Sequence, residues 1–165
     1  MRWSVPLAAA LLAAPSLSAD FADGLEAYDA GRYADALAEC RALAAEGHLN
    51  SMVAIAGLYE AGAGVPRDYR QAAHWYRQAA DCGHAVAQLN LGDLYGRGQG
   101  VPRDLVLADV YLSRAASQGS EWARERRAAI RAAMTADEKA AAAQRLSDGG
   151  AACPAVSGEP AKDGS

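Results

Sequence analysis

Aromatic residues are scarce in this chain: they make up 7% of its 165 residues, and Phe21 is the single phenylalanine. A core short of large rings must form by close approach of small side chains. Much of the 52% hydrophobic fraction is alanine, the residue with the best intrinsic helix propensity. Lysine is as scarce, at Lys139 and Lys162 alone, and the net charge is -4. There is no basic stripe of the kind a nucleic-acid partner requires, so none is expected. No apolar run approaches the ~20 residues that a bilayer-spanning helix needs. Cys-x-x-Cys is absent, which removes the usual spacing of a thioredoxin-like centre or a zinc site. No serine has lysine three positions on, so a penicillin-type serine acyl enzyme lacks its Ser-x-x-Lys.

The N-terminus has the pattern of a targeting segment. Met1-Arg2 is a short positive region, Val5 to Ala14 is apolar, and Pro15-Ser16-Leu17-Ser18-Ala19 offers small residues for cleavage. That order is that of a secretory signal over 1–19, cut after Ser18 or after Ala19. The mature chain is then expected in the periplasm or secreted, with no membrane span. Three cysteines, Cys40, Cys82 and Cys153, allow at most one internal disulfide in an oxidising compartment and leave one thiol over. The sequence does not choose the pair.

What is present is a duplication. Leu58-Tyr59-Glu60-Ala61-Gly62-Ala63-Gly64-Val65-Pro66-Arg67-Asp68 returns 36 positions later as Leu94-Tyr95-Gly96-Arg97-Gly98-Gln99-Gly100-Val101-Pro102-Arg103-Asp104. The register persists through Ala72/Ala108, Ala79/Ala115 and Gly83/Gly119. A fixed period in the range of roughly 20–50 residues marks stacked units, none of which buries its apolar face alone. The spacing predicts a helix after His48 or His84, a Gly-x-Gly turn, then a second helix capped by Asp68 or Asp104. The second helices are expected over about Tyr69 to Asp81 and Leu105 to Gln118, with Ala72, Trp75-Tyr76 and Ala79 as an inward stripe. Ala56 and Gly92 fall where the paired helix crosses, so small size is the requirement.

Residues 20–47 form a shortened opening unit, with Phe21, Leu25 and Tyr28 on one helical stripe and Tyr33, Ala36, Leu37 and Cys40 on the next. Ser120 to Met134 should be a terminal helix. Trp122, Ala129-Ile130 and Ala133-Met134 make its inner stripe, and Glu121, Arg124, Arg126, Arg127 and Arg131 its charged outer face, as a solenoid end demands. Thr135 to Glu138 opens a further short helix to about Leu146. From 148 to 165 the glycine, proline and small polar residues read as a disordered tail.

Tyr28-x-x-Gly31-x-Tyr33-x-x-Ala36-Leu37 resembles the tetratricopeptide signature. The word Leu-Gly-x-x-Tyr-x-x-Gly-x-Gly-Val-x-x-Asp, followed by Ala, Trp-Tyr, Ala-Ala and Gly, is similar to the Sel1-like repeat, a relative with a longer interhelical loop. Two units are matched, 48–83 and 84–119, with a helical cap at 120–147 like that of exported bacterial members. Departures are Ala56-Gly57 in the first unit and, in the second, Asp109-Val110 and Tyr111-Leu112. The resemblance implies an all-α solenoid of helix pairs over 20–147 that binds a protein or peptide partner in the cell envelope without catalysis. It also implies two alternatives: a periplasmic regulator restraining a membrane signalling protein, or a cell-wall or β-lactam-directed enzyme.

Chemistry-bearing residues are few. Gly62-x-Gly64 and Gly98-x-Gly100 lack the strand and the lysine of a phosphate loop, and His48, His74 and His84 show no ligand spacing. No catalytic, metal or cofactor residue is assigned. By analogy with tetratricopeptide arrays, the first helix of each pair lines the concave side and meets the partner. The candidates there are Asn50, Val53 and Glu60, then Leu89, Asp93 and Arg97. The acidic opening unit contrasts with the arginine-rich cap, a gradient able to steer a partner.

Overall fold

The computed structural model describes residues 17–149 and Cys153, and among them every regular element is a helix. The predicted signal residues 1–16 and most of the predicted tail, 150–152 and 154–165, lie outside the described residues. The eight helices are α1 (Leu17–Asp29), α2 (Tyr33–Ala45), α3 (Leu49–Ala61), α4 (Tyr69–Asp81), α5 (Ala85–Arg97), α6 (Leu105–Ser117), α7 (Glu121–Ala133) and α8 (Ala136–Ser147).

The turn chemistry sets the pairing. Gly62 and Gly98 end α3 and α5 in the left-handed conformation, with φ of 69° and 67°. Asp68 then caps α4 through the backbone N–H groups of Arg70 and Gln71, and Asp104 caps α6 through that of Leu107. Each such bond satisfies a donor that the first helical turn leaves open. The second glycine of each loop has a different duty. A Cβ on Gly100 would stand 2.1 Å from the Tyr69 carbonyl oxygen, and one on Gly64 would stand 2.6 Å from the Tyr33 Cβ. Each loop thus presses its backbone against the start of the preceding unit's second helix, which is how successive units are joined.

Helices pack in sequence, α1 on α2 through to α6 on α7. One apolar cluster runs from Leu37 in α2 to Tyr111 in α6. Its alanines Ala56, Ala72, Ala79 and Ala108 are wholly buried. Gly92 lets α5 meet α6 closely, since a Cβ there would lie 2.7 Å from Leu112. Polar links repeat with the register: Arg41 donates to the Tyr59 hydroxyl at 2.9 Å, and Arg77, 36 residues on, donates to the Tyr95 hydroxyl. Both tie a second helix to the first helix of the next unit.

The ends of the array depart from expectation. In α1 the buried residues are Gly24 and Ala27, while Leu25 and Tyr28 are exposed. Gly24 makes the close crossing with α2, its Cβ position lying 3.5 Å from Cys40 Sγ. The stripe is therefore rotated by one residue from the one assigned to Phe21, Leu25 and Tyr28. Trp122 is not on the inner stripe of α7 either: it is 70% exposed, and Ala123 is the residue packed under Leu112 and Ala115. Ala129 and Ala133 are exposed as well. Nor are all the α7 arginines on an outer face. Arg127 Nε and Arg131 Nη1 donate to the carboxylate of Asp109 at 2.8 and 2.9 Å, and Asp109 is fully buried in α6.

α8 begins with a complete capping box between Thr135 and Glu138. It lies on α6, where Met134 and Ala142 meet Leu105 and Val110. Beyond it, Cys153 is disulfide-bonded to Cys82, the C-cap of α4, and Cys40 remains a buried free thiol. The bond returns the chain to the second unit and closes α5 to α8 in one loop.

Candidate functional site

The side of the array made by the first helices carries a depression between α1 and α3. Phe21, Gly24, Leu25 and Tyr28 line it from α1, Ala54, Gly57 and Leu58 from α3, and Ala36 and Cys40 of α2 form its floor. Its volume is about 210 Å³. On the α3 side Ala54 and Gly57 are small, which leaves room above α2 between them and the larger Phe21, Leu25 and Tyr28 of α1. Burial pushes the Cys40 thiol above its usual range, which keeps it protonated and weakly nucleophilic. The depression is an apolar seat with an inert floor.

The six candidates from the repeat do not converge on it. Asn50 is exposed, and its Oδ1 lies 2.8 Å from His84 Nε2. The other ring nitrogen of His84 accepts the Ala87 N–H as the cap of α5. These two bonds fit one neutral tautomer, with the proton on Nε2. Desolvation lowers the His84 pKa in agreement with that form. Val53 is half-buried against the main cluster. Glu60 is half-buried and accepts the Tyr76 hydroxyl at 2.9 Å. The tyrosine is held well above its usual pKa, first by burial and then by the Glu60 charge.

Leu89 packs beside Leu112, Ala115 and Ala123. Asp93 sits between Arg97 at 3.4 Å and Arg126 of α7 at 3.7 Å. The structure thus brings Asp93, Arg97 and Arg126 together, and joins Asn50 to His84 and Glu60 to Tyr76. Three of the six candidates, Asn50, Glu60 and Asp93, spend their polar groups on joining elements of the array, and Arg97 pairs with Asp93 within α5.

Sequence reasoning missed the depression because it read Leu25 and Tyr28 with Phe21 only as one apolar helical stripe. The available signal was size: the closely crossed positions elsewhere are Ala56 and Gly92, and Gly24 is the matching small residue in α1. Trp122 also carried a signal, since it stands 36 residues after Val86 and 72 after Asn50, both of them exposed.

No grouping of three or more histidine, cysteine or carboxylate side chains able to hold a metal occurs among the described residues. No helix there is long and apolar enough to cross a membrane. The repeated loop, its two glycines, the capping aspartate and the helix pair are matched twice by one family model, that of the Sel1 repeat, over residues 50–84 and 85–120. The chain carries two Sel1 repeats. Its fold is that of the Sel1 solenoids.

One similar structure is a protective antigen present in uropathogenic Escherichia coli strains, which displays an SLR fold. It is 27% identical over 83% of this chain and 31% of its own, with a TM-score of 0.76. A Sel1 repeat protein from Oxalobacter formigenes is 32% identical over 64% of this chain and 44% of its own, with a TM-score of 0.62. The chain therefore spans under half the length of either protein. No curated protein matches it. Sel1 arrays serve in general as protein-interaction scaffolds.

Proposed function

We propose that this Sel1 chain is an exported, non-catalytic scaffold of the cell envelope, which seats a segment of a partner protein in the depression between α1 and α3. The observation that carries the reading is the apolar seat itself, with Leu25 52% and Tyr28 45% exposed on its rim. Solvent-exposed large apolar side chains that border a preformed hollow mark an interaction site. The four such residues among those described, Leu25, Tyr28, Val86 and Trp122, all lie on α1, α5 or α7, the first-helix side.

Export has two supports. The N-terminal segment has the order of a secretory signal, and the Cys82–Cys153 bond belongs to an oxidising compartment. Cleavage after Ser18 or Ala19 would leave Phe21 to Tyr28, and hence the whole seat, in the mature chain.

Site-specific photo-crosslinking in cells tests the binding face. Probes at positions 25, 53 and 89 should give a discrete adduct, and a probe at the exposed Arg70 of a second helix should give none. Equal labelling from position 70, or no adduct from position 25, overturns the reading. Export is checked by the mass of the purified protein: a chain retaining Met1 in the cytoplasm refutes it.

A further inference from the structure

Trp122 is the most exposed large apolar residue among those described, at 70%. Its place in the repeat shows what it faces. At the equivalent position Asn50 reaches the cap of the following unit's first helix through His84. Among the described residues no first helix follows α7, and α8 folds onto α6. Trp122 therefore stands where a further unit would be joined.

The other end of the array offers the matching surface. An apolar cavity of about 150 Å³ accommodates benzene, so the seat of about 210 Å³ has room for an indole. The helix that bears it is acidic: Asp23, Glu26 and Asp29 of α1 are exposed, and α1 carries no arginine or lysine. α7 carries four arginines against two glutamates. Arg127 and Arg131 are engaged by Asp109, Arg124 pairs with Glu121 and Arg126 with Asp93, and Arg124 and Arg126 keep 53% and 48% of their side chains exposed.

We propose that a second copy of this chain is an occupant of the seat. Trp122 of one molecule enters the hollow between Phe21, Leu25 and Tyr28 of the next, and the arginine-bearing face of α7 meets the acidic α1. The inference rests on the seat being a binding site and names its partner. Every copy keeps an unused Trp122 at one end and an unused seat at the other, so the contact is head-to-tail and grows into rings or open chains.

Sedimentation velocity on the mature protein, from micromolar to millimolar concentration, tests this. The average sedimentation coefficient should rise with concentration and fall back in high salt, where screening shortens to about 3 Å. Trp122→Ala and Leu25→Asp should each remain monomeric, with the dissociation constant raised about thirtyfold, as for a central tryptophan anchor. Both residues are more than half exposed, so unchanged thermal midpoints should show that the variants fold. Mixed in equal amounts, the two variants should form a dimer and stop there, because one retains its Trp122 and the other its seat.

A wild-type chain that stays monomeric at every concentration, variants that associate like wild type, or a mixture that stays monomeric overturns the inference. A monomeric chain whose position 25 still crosslinks to another envelope protein would leave the scaffold reading intact. Loss of that crosslink with self-association retained would remove the envelope partner alone.

Discussion

The buried carboxylate of Asp109 is the sharpest point at which to perturb this array. Its side chain is 1% exposed, and its two charge partners, Arg127 and Arg131, are 30% and 38% exposed. That asymmetry decides the outcome. Replacing both arginines by alanine leaves a carboxylate with no countercharge in the α6–α7 interface, which costs about 3–5 kcal/mol. Replacing Asp109 by alanine instead removes the buried charge, and the arginines turn into water. The preceding unit has Ala73 at the matching position, 2% exposed, so the helix packing tolerates alanine there. The Asp109→Ala cost should be about 1–2 kcal/mol, because the two charge-assisted hydrogen bonds lost are largely offset by no longer burying the carboxylate.

Urea unfolding followed by far-UV circular dichroism gives these numbers, and hydrogen exchange places them. The double arginine variant should lose thermal midpoint by about 10 °C, taking 2–4 °C per kcal/mol at this size. Exchange should quicken first in α7 and α8, because each solenoid unit is stabilised by its neighbours. Adding Asp109→Ala to the double variant should restore it to within about 1 kcal/mol of Asp109→Ala alone. A double arginine variant more stable than Asp109→Ala, or no rescue in the triple variant, would refute the account.

Gly100→Ala should cost about 3 kcal/mol or more by chemical denaturation, combining a φ of 69° with collision against the Tyr69 backbone. Gly119→Ala, with open space at its Cβ, should cost about 1–2 kcal/mol, chiefly backbone strain at its positive φ. Cys153→Ser should destabilise by about 4 kcal/mol, the chain-entropy value for closing a loop of this length. Mass spectrometry of the oxidised wild type should find the Cys82–Cys153 peptide pair and an alkylatable Cys40 only after unfolding. His84 is held below its usual pKa by burial, so the unfolded chain binds its proton more readily. Stability should be fully present above the unfolded value of about 6.5 and decline as pH falls through the folded value. His84→Ser, which keeps a capping oxygen, should lose that dependence in pH-resolved thermal melts.

Much of the architecture was legible because the duplicated residues answer to local backbone needs. Gly62 and Gly98 supply left-handed turns, Asp68 and Asp104 supply caps, and Ala72 and Ala108 allow close crossing, wherever such a unit occurs. The second helix of the first repeat, Tyr69–Asp81, could be bounded to the residue from its cap and its closing glycine. The ends were less legible. An end helix has a neighbour on one side only, so periodicity identifies an apolar stripe without saying which part of it is covered. That is why Leu25, Tyr28 and Trp122 read as parts of an apolar stripe and stand exposed.

By itself the sequence determined the period, the helix boundaries, the turn glycines and the two Sel1 units, since all of these depend on interactions a few residues apart. Only the tertiary structure decided that α8 turns back onto α6, that Cys153 pairs with Cys82, and that Asp109 draws Arg127 and Arg131 inward. It also decided that an apolar seat opens between α1 and α3. Each of these joins residues brought together only once the units have stacked. Which of several compatible charges or cysteines meet is then fixed by the packing geometry, and no local pattern carries that information.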